Sequence, residues 1–342
     1  MIAIVAIVAI VLMGILVNVL AFRQIDFGHY MTATKLLLHG DDPYKEVEFF
    51  FPPWSIVLLG PFTLLPLKPA AGAWLILAIF SQVVSGAMVL QWGGRSAPRL
   101  LRIVILVLPP LLPAALFSYV TGQISPLIGF VALIASWISS RTSVHPLVLA
   151  LAVGAATLKP HIVAIPLLLC LLELVRGRKW NYLAWIGIVF AGFVGVAYAV
   201  WPFWIQSLSD AWLGGSYRGG PGLVAPGYRG LLELGVPYWL LIPTLAYTLH
   251  AWVKDHLSAR VIALGFTTGL LLAPYTRSYD QVILTFPICI SLLAIADGRR
   301  LPAALILVSA LALPLTSAWM LAPVISMLGL LFLHPVAADG RA

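Results

Sequence analysis

The sequence predicts an all-α protein that crosses a membrane many times, and composition and charge placement both lead there. Of its 342 residues 61% are apolar and only 9% charged, with a mean hydropathy of +1.02. A soluble domain carries about a quarter charged residues. A chain this poor in charge cannot cover a globule with solvated groups, so lipid is its main solvent. The formal net charge of +8 is not a nucleic-acid signal, because the 20 Lys and Arg sit mostly in short clusters between apolar runs. That is how positive-inside topology places them. The 12 Trp suit the bilayer interface, and the 25 Pro mark breaks that cavities or neighbouring helices can satisfy.

About twenty apolar residues cross a bilayer, and fewer suffice where a helix packs inside protein. The apolar runs are 2–22, 52–67, 71–91, 103–118, 124–140, 144–158, 160–175, 181–204, 231–252, 258–274, 281–296, 301–318 and 320–334. Run 2–22 lacks a basic n-region and a clear A-x-A cleavage site, so it is read as a retained first span. Two breaks are long: 23–51, with charged and aromatic residues, and 205–230, rich in Gly. The expected organisation is one integral membrane domain over 1–342. A catalytic module covers 1–204 with outer loop 23–51, a second outer loop covers 205–230, and C-terminal helices fill 231–342.

The basic clusters set the orientation. Arg176, Arg178 and Lys179 form the strongest, followed by Arg299 with Arg300, Lys254 with Arg260, and Arg95, Arg99 and Arg102. Loop 23–51 balances Arg23, Lys35 and Lys45 against Asp26, Asp41, Asp42, Glu46 and Glu48, which suits the outside. Six apolar runs separate that loop from Arg176–Lys179, but the crossings must be odd in number, so one run does not cross. The preferred one is 52–67, interrupted by Pro52, Pro53, Pro61 and Pro66 and read as re-entrant or a pair of half-helices. Twelve crossings follow, in an expected total of 11–13 transmembrane or re-entrant helices. A rival parse merges 144–158 with 160–175 into one broken helix and leaves Arg95–Arg102 outside.

The preferred parse gathers polar interruptions at one outer face. They are loop 23–51, Ser118–Gln123, Lys159-Pro160-His161 and Pro274–Asp280, joined by 205–230. Polar residues collected at one membrane face mark a site. Asp26 stands directly after the first run in Q-I-D-F-G-H-Y. It is either an interfacial cap on the helix that 27–39 could form, or a carboxylate at a cavity rim acting as general base toward a hydroxyl. His29 and Tyr30 follow one turn on and could line the same rim. Asp41-Asp42 in H-G-D-D-P-Y read as a turn, with metal binding the weaker alternative for want of further ligands. Lys159 either snorkels to the interface or contacts a lipid phosphate, and Arg277 could join it. Gln123 suits a sugar hydroxyl or a helix end. Tyr44, Phe49–Phe51 and Trp54 read as interface anchors. Cys170 and Cys289 lie in apolar runs without metal-ligand spacing and read as small core hydrophobes. Nucleotide-binding P-loops, nucleophile elbows, zinc-protease helices and C-x-x-C pairs are absent from the sequence.

Several segments taken in order carry a resemblance. They are D-F with H-Y-M-T-A-T-K-L-L-L-H-G-D-D-P-Y, F-F-F-P-P-W-S-I-V-L-L-G-P-F-T-L-L-P-L, T-G-Q-I-S-P-L-I, T-L-K-P-H-I-V-A-I-P-L-L-L, and A-P-Y-T-R-S-Y-D-Q-V-I-L. Together, over about residues 1–290, they resemble glycosyltransferase family 87, the alpha-1,2-mannosyltransferase-like group with a GT-C fold. The resemblance implies transfer of a hexose, by family habit mannose, from a polyprenyl-phosphate donor to a lipid or glycan acceptor. No nucleotide sugar, other cofactor or metal is implied. It places the active site on the periplasmic or extracellular side of the inner membrane. It makes Asp26 the catalytic residue, matches the G-Q element to Gln123 and the K-P element to Lys159, and leaves His29, Tyr30, His161, Arg277, Tyr279 and Asp280 as substrate-binding candidates. Characterised members carry histidine in the last outer motif, where this chain has Tyr279-Asp280. The competing function is a transporter or lipid flippase, with the same polar groups lining a pathway near the membrane midplane.

Overall fold

The computed structural model describes residues 24–45, 49–93, 97–141, 144–213, 239, 241–273, 276–296, 304–308 and 321–333. Among these the protein is all-helical, with no strand. The expected first span 2–22, most of 205–230 and most of 301–318 lie outside the described residues.

The helices run α1 Ile25–His39, α2 Leu67–Gly93, α3 Arg99–Val107, α4 Pro113–Thr121, α5 Ser125–Ser139, α6 Pro146–Ala156, α7 Pro160–Arg176, α8 Trp180–Val200, α9 Trp204–Leu213, α10 Ile242–Asp255, α11 Ala259–Leu272, α12 Thr285–Ala296 and α13 Ala322–Phe332. By length and composition three described segments can cross a bilayer: Leu67–Trp92, Trp180–Val200 and Ser278–Ile295. A fourth exists if α4 and α5 count as one broken span. Proline interrupts some of the apolar runs. Run 103–118, for example, breaks at Pro109, Pro110 and Pro113 into α3, a 3-10 turn and α4. Within 52–67 only 3-10 turns and one α-turn, Ile56–Leu59, form. The twelve residues Pro53–Leu64 would rise only about 18 Å even as ideal α-helix, short of the roughly 30 Å hydrocarbon core.

The chain divides into two compact units that interleave in sequence. The first comprises 1–80, 117–124 and 192–224; the second comprises 81–116, 125–191 and 225–342.

In the first unit α1 buries Phe27, Tyr30, Met31, Thr34 and Leu37, a face set by the three- and four-residue spacing of these positions. The helix ends at Gly40, whose φ of +78° allows the closing bonds of the last turn: Gly40 N–H donates to Leu37 O at 3.1 Å and to Leu36 O, and Asp41 N–H donates to Leu36 O at 2.9 Å. The next turn is held by Asp42 Oδ1, which accepts from Tyr44 N–H at 3.0 Å, so H-G-D-D-P-Y folds as the turn its residues suggest. Tyr44 then donates to Phe51 O at 2.9 Å. Burial first, and the Asp42 carboxylate second, push the Tyr44 hydroxyl well above the usual phenol range. Phe49, Phe51 and Trp54 are buried within this unit, with Phe51 4.8 Å from the Tyr30 ring and Trp54 stacked 6.4 Å from Phe193. The reading of these three as interface anchors is therefore corrected. Phe51 packs on Tyr30 of α1, Trp54 on Phe193 of α8, and Phe49 on Tyr44 and Phe51.

In the second unit α11 is the central helix, buried from Val261 to Leu271, and it packs on α7, α12 and α13. Small residues allow the approach to α7: a Cβ on Gly269 would stand 3.0 Å from Ile162 O, and one on Gly265 2.9 Å from Leu169 Cδ1. Lys179 closes the end of α5 by donating to Ser139 O and Arg141 O, both at 2.8 Å. The stretch of α8 is only 6% buried and presents an apolar surface suited to lipid.

Candidate active site

In the first unit Asp26 is the second residue of α1, one turn from Tyr30 on the same side. It does not cap the helix: the N-cap is Gln24, which makes no side-chain cap bond. A carboxylate in the first turn is still favoured by the partial positive charge of the exposed N–H groups. Asp26 is 7% exposed, Tyr30 3% and Gln123 4%. Gln123 Nε2 donates to Asp26 Oδ2, and Tyr30 Oη donates to Gln123 Oε1 at 3.1 Å. The break between the first two runs and the Ser118–Gln123 break are thus brought together. His29, one turn from Asp26, is half-buried.

The turn that delivers Gln123 requires glycine. Gly122 has φ +76°, and a Cβ there would lie 2.7 Å from Phe27 Cβ and 2.9 Å from Gln24 Cβ. Its carbonyl accepts from Trp74 Nε1 at 3.0 Å, and the Trp74 ring stacks on Phe27 at 5.1 Å. Gln123 N–H reaches back to Ser118 O at 2.9 Å, closing the end of α4. Gly122→Ala is therefore expected to destabilise the protein by roughly 1–3 kcal/mol from the left-handed backbone alone, read as a lower unfolding midpoint in detergent.

In the second unit a buried ion pair joins Lys159 of the K-P element to Asp280. Lys159 Nζ lies 2.5 Å from Asp280 Oδ1 and 2.9 Å from Ser125 Oγ, which itself donates to Asp280 at 2.6 Å. Asp280 Oδ2 accepts from Arg277 N–H at 3.0 Å, which fixes the start of the 3-10 turn Ser278–Leu284. The Lys159 ammonium stands 5.0 Å from the Tyr279 ring centre, and the Arg277 guanidinium stands 5.7 Å from it. His161, in the first turn of α7, is half-buried; electrostatically it feels both Lys159 and Asp280. Among the described residues no group of three or more His, Cys, Asp or Glu could hold a metal ion.

The sequence profile of glycosyltransferase family 87 matches residues 49–274. The chain belongs to glycosyltransferase family 87. As a member it is a membrane glycosyltransferase, which takes a sugar from a donor and gives it to an acceptor. No curated protein and no solved structure matches it significantly. The family 87 match includes Gln123, Lys159 and His161, while Asp26, Arg277, Tyr279 and Asp280 lie outside it.

Two residues of these networks had no assigned role in the sequence. Ser125 stood inside T-G-Q-I-S-P-L-I without a function, yet it bridges Lys159 and Asp280. Trp74 stood in an apolar run, where an indole reads as hydrophobic bulk; only the fold reveals that it holds the Gly122 carbonyl.

Proposed function

We propose that this family 87 member transfers a hexose, mannose in the first instance, from a polyprenyl-phosphate donor to a lipid or glycan hydroxyl on the outer face of the inner membrane. Asp26 is the general base. The observation that carries the reading is the Asp26 carboxylate, buried in the first turn of α1 and oriented by Gln123. The acceptor oxygen attacks the anomeric carbon as the bond to the phosphate oxygen breaks. The phosphate leaves with the bonding electrons, and the acceptor proton passes to Asp26. A phosphate leaving group needs its charge stabilised rather than a strong acid, which suits the cations Lys159 and Arg277. Displacement from the face opposite the phosphate inverts the anomeric centre, so a beta-linked donor yields an alpha product. No covalent nucleophile or second carboxylate is required, unlike a retaining hydrolase.

The test is incubation of membranes containing the protein with polyprenyl-phosphate [14C]mannose, with membranes lacking it as control. A protein-dependent radiolabelled product, alpha-linked by NMR, is the expected result. A beta-linked product would overturn the inverting mechanism. Transfer from a nucleotide sugar but not from the polyprenyl phosphate would overturn the donor class.

A further inference from the structure

The side chain of Gln123 carries both a donor and an acceptor, and the structure places each against a specific partner. Its Nε2 faces the Asp26 carboxylate, and its Oε1 receives the Tyr30 hydroxyl at 3.1 Å. All three side chains are at least nine-tenths buried, where a bond of this kind is stronger than in water and a mismatch is more costly. A primary amide is nearly symmetric in shape, so packing alone does not decide which end meets the carboxylate. Reversed, it would set a carbonyl oxygen against a carboxylate oxygen, two acceptors with no proton between them.

We propose that Gln123 is a positioning residue for the Asp26 carboxylate and that Tyr30 holds its amide the right way round. The Tyr30 hydroxyl anchors the carbonyl end and polarises the amide, so that the N–H donates more strongly to Asp26. Gly122 and Trp74 complete the device. The left-handed glycine turns the chain so that Gln123 points back at α1, and the indole holds the carbonyl of that turn. Asp26 and Tyr30 are one helical turn apart, so a single rigid element presents both the group to be oriented and the group that holds its partner. Gln123 thus acts through Asp26 rather than by binding sugar. The inference rests on the reading of Asp26 as base, but its test does not depend on turnover.

The experiment is a pH titration of the purified full-length protein by infrared spectroscopy, with Asp26→Asn subtracted to isolate the Asp26 carboxyl band. An amide N–H donated to the ionised form favours that form, so Gln123→Leu should move the midpoint up by about one pH unit. Tyr30→Phe should move it the same way by less. Gln123→Glu keeps the shape of the side chain and puts two carboxyls against each other, so one of them should titrate well above wild type. A midpoint unchanged in folded Gln123→Leu, or in Gln123→Glu if the leucine variant does not fold, overturns the proposal. In transfer assays positioning predicts a lower kcat with KM retained. A raised KM at unchanged kcat would return Gln123 to sugar binding. A shifted midpoint together with an active Asp26→Asn enzyme would leave the positioning intact and remove the base assignment instead.

Discussion

Asp26→Asn is expected to reduce sugar transfer by roughly 10²–10⁴-fold, the usual contribution of a positioned general base. The substitution keeps the shape of the side chain and removes its ability to take a proton. Asn can still stand against Gln123 by presenting its carbonyl oxygen to the Gln123 N–H. The fold should therefore survive, and near-native thermal unfolding in detergent is the control. Initial rates with polyprenyl-phosphate [14C]mannose make the measurement. Wild-type transfer by folded Asp26→Asn would remove Asp26 from the mechanism. In the wild-type enzyme, kcat/KM should fall toward low pH as the carboxylate takes up a proton, and remain level above that limb until another group titrates.

The second large effect is on stability. Removing one member of a buried ion pair costs about 3–5 kcal/mol, because the remaining charge keeps its desolvation penalty without its counter-ion. The side chains of Asp280 and Lys159 are 1% and 9% exposed and 2.5 Å apart. Asp280→Ala should lower the unfolding midpoint strongly, and it also removes the acceptor for Ser125 and for the Arg277 N–H. Lys159→Met alone should be costly as well, since it removes the cation and leaves the Asp280 carboxylate with the neutral donors Ser125 and Arg277 N–H. The double variant Lys159→Met/Asp280→Leu should be more stable than the sum of the single losses predicts, which is the signature of direct coupling. Strict additivity would show that the pair contributes no mutual stabilisation.

The turn in H-G-D-D-P-Y was legible in the sequence because glycine, aspartate and proline act on their own backbones within a few residues. So was the helix that includes 27–39, which in the structure begins two residues earlier, at Ile25. The polar breaks were equally plain, since ionisable groups are rare in apolar runs and stand out by contrast. The partners of those groups were not. Tyr30 and Gln123 are 93 residues apart, and Lys159 and Asp280 are 121 apart. No local periodicity connects residues at such separations. Phe49, Phe51 and Trp54 were misread for a related reason: an aromatic beside an apolar run has the same composition whether it meets lipid or other aromatics.

Composition by itself determined that lipid is the main solvent of this chain, and proline placement that run 103–118 breaks, because both follow from hydration and local backbone sterics. The ordered motifs by themselves were enough to resemble the family to which the chain belongs. Tertiary structure alone decided that Gln123 addresses a carboxylate rather than standing as a helix-end amide, and that Lys159 is held by Asp280 rather than reaching for the interface. The reason is that a buried polar group takes its meaning from the group it meets. Which group it meets depends on how distant helices pack.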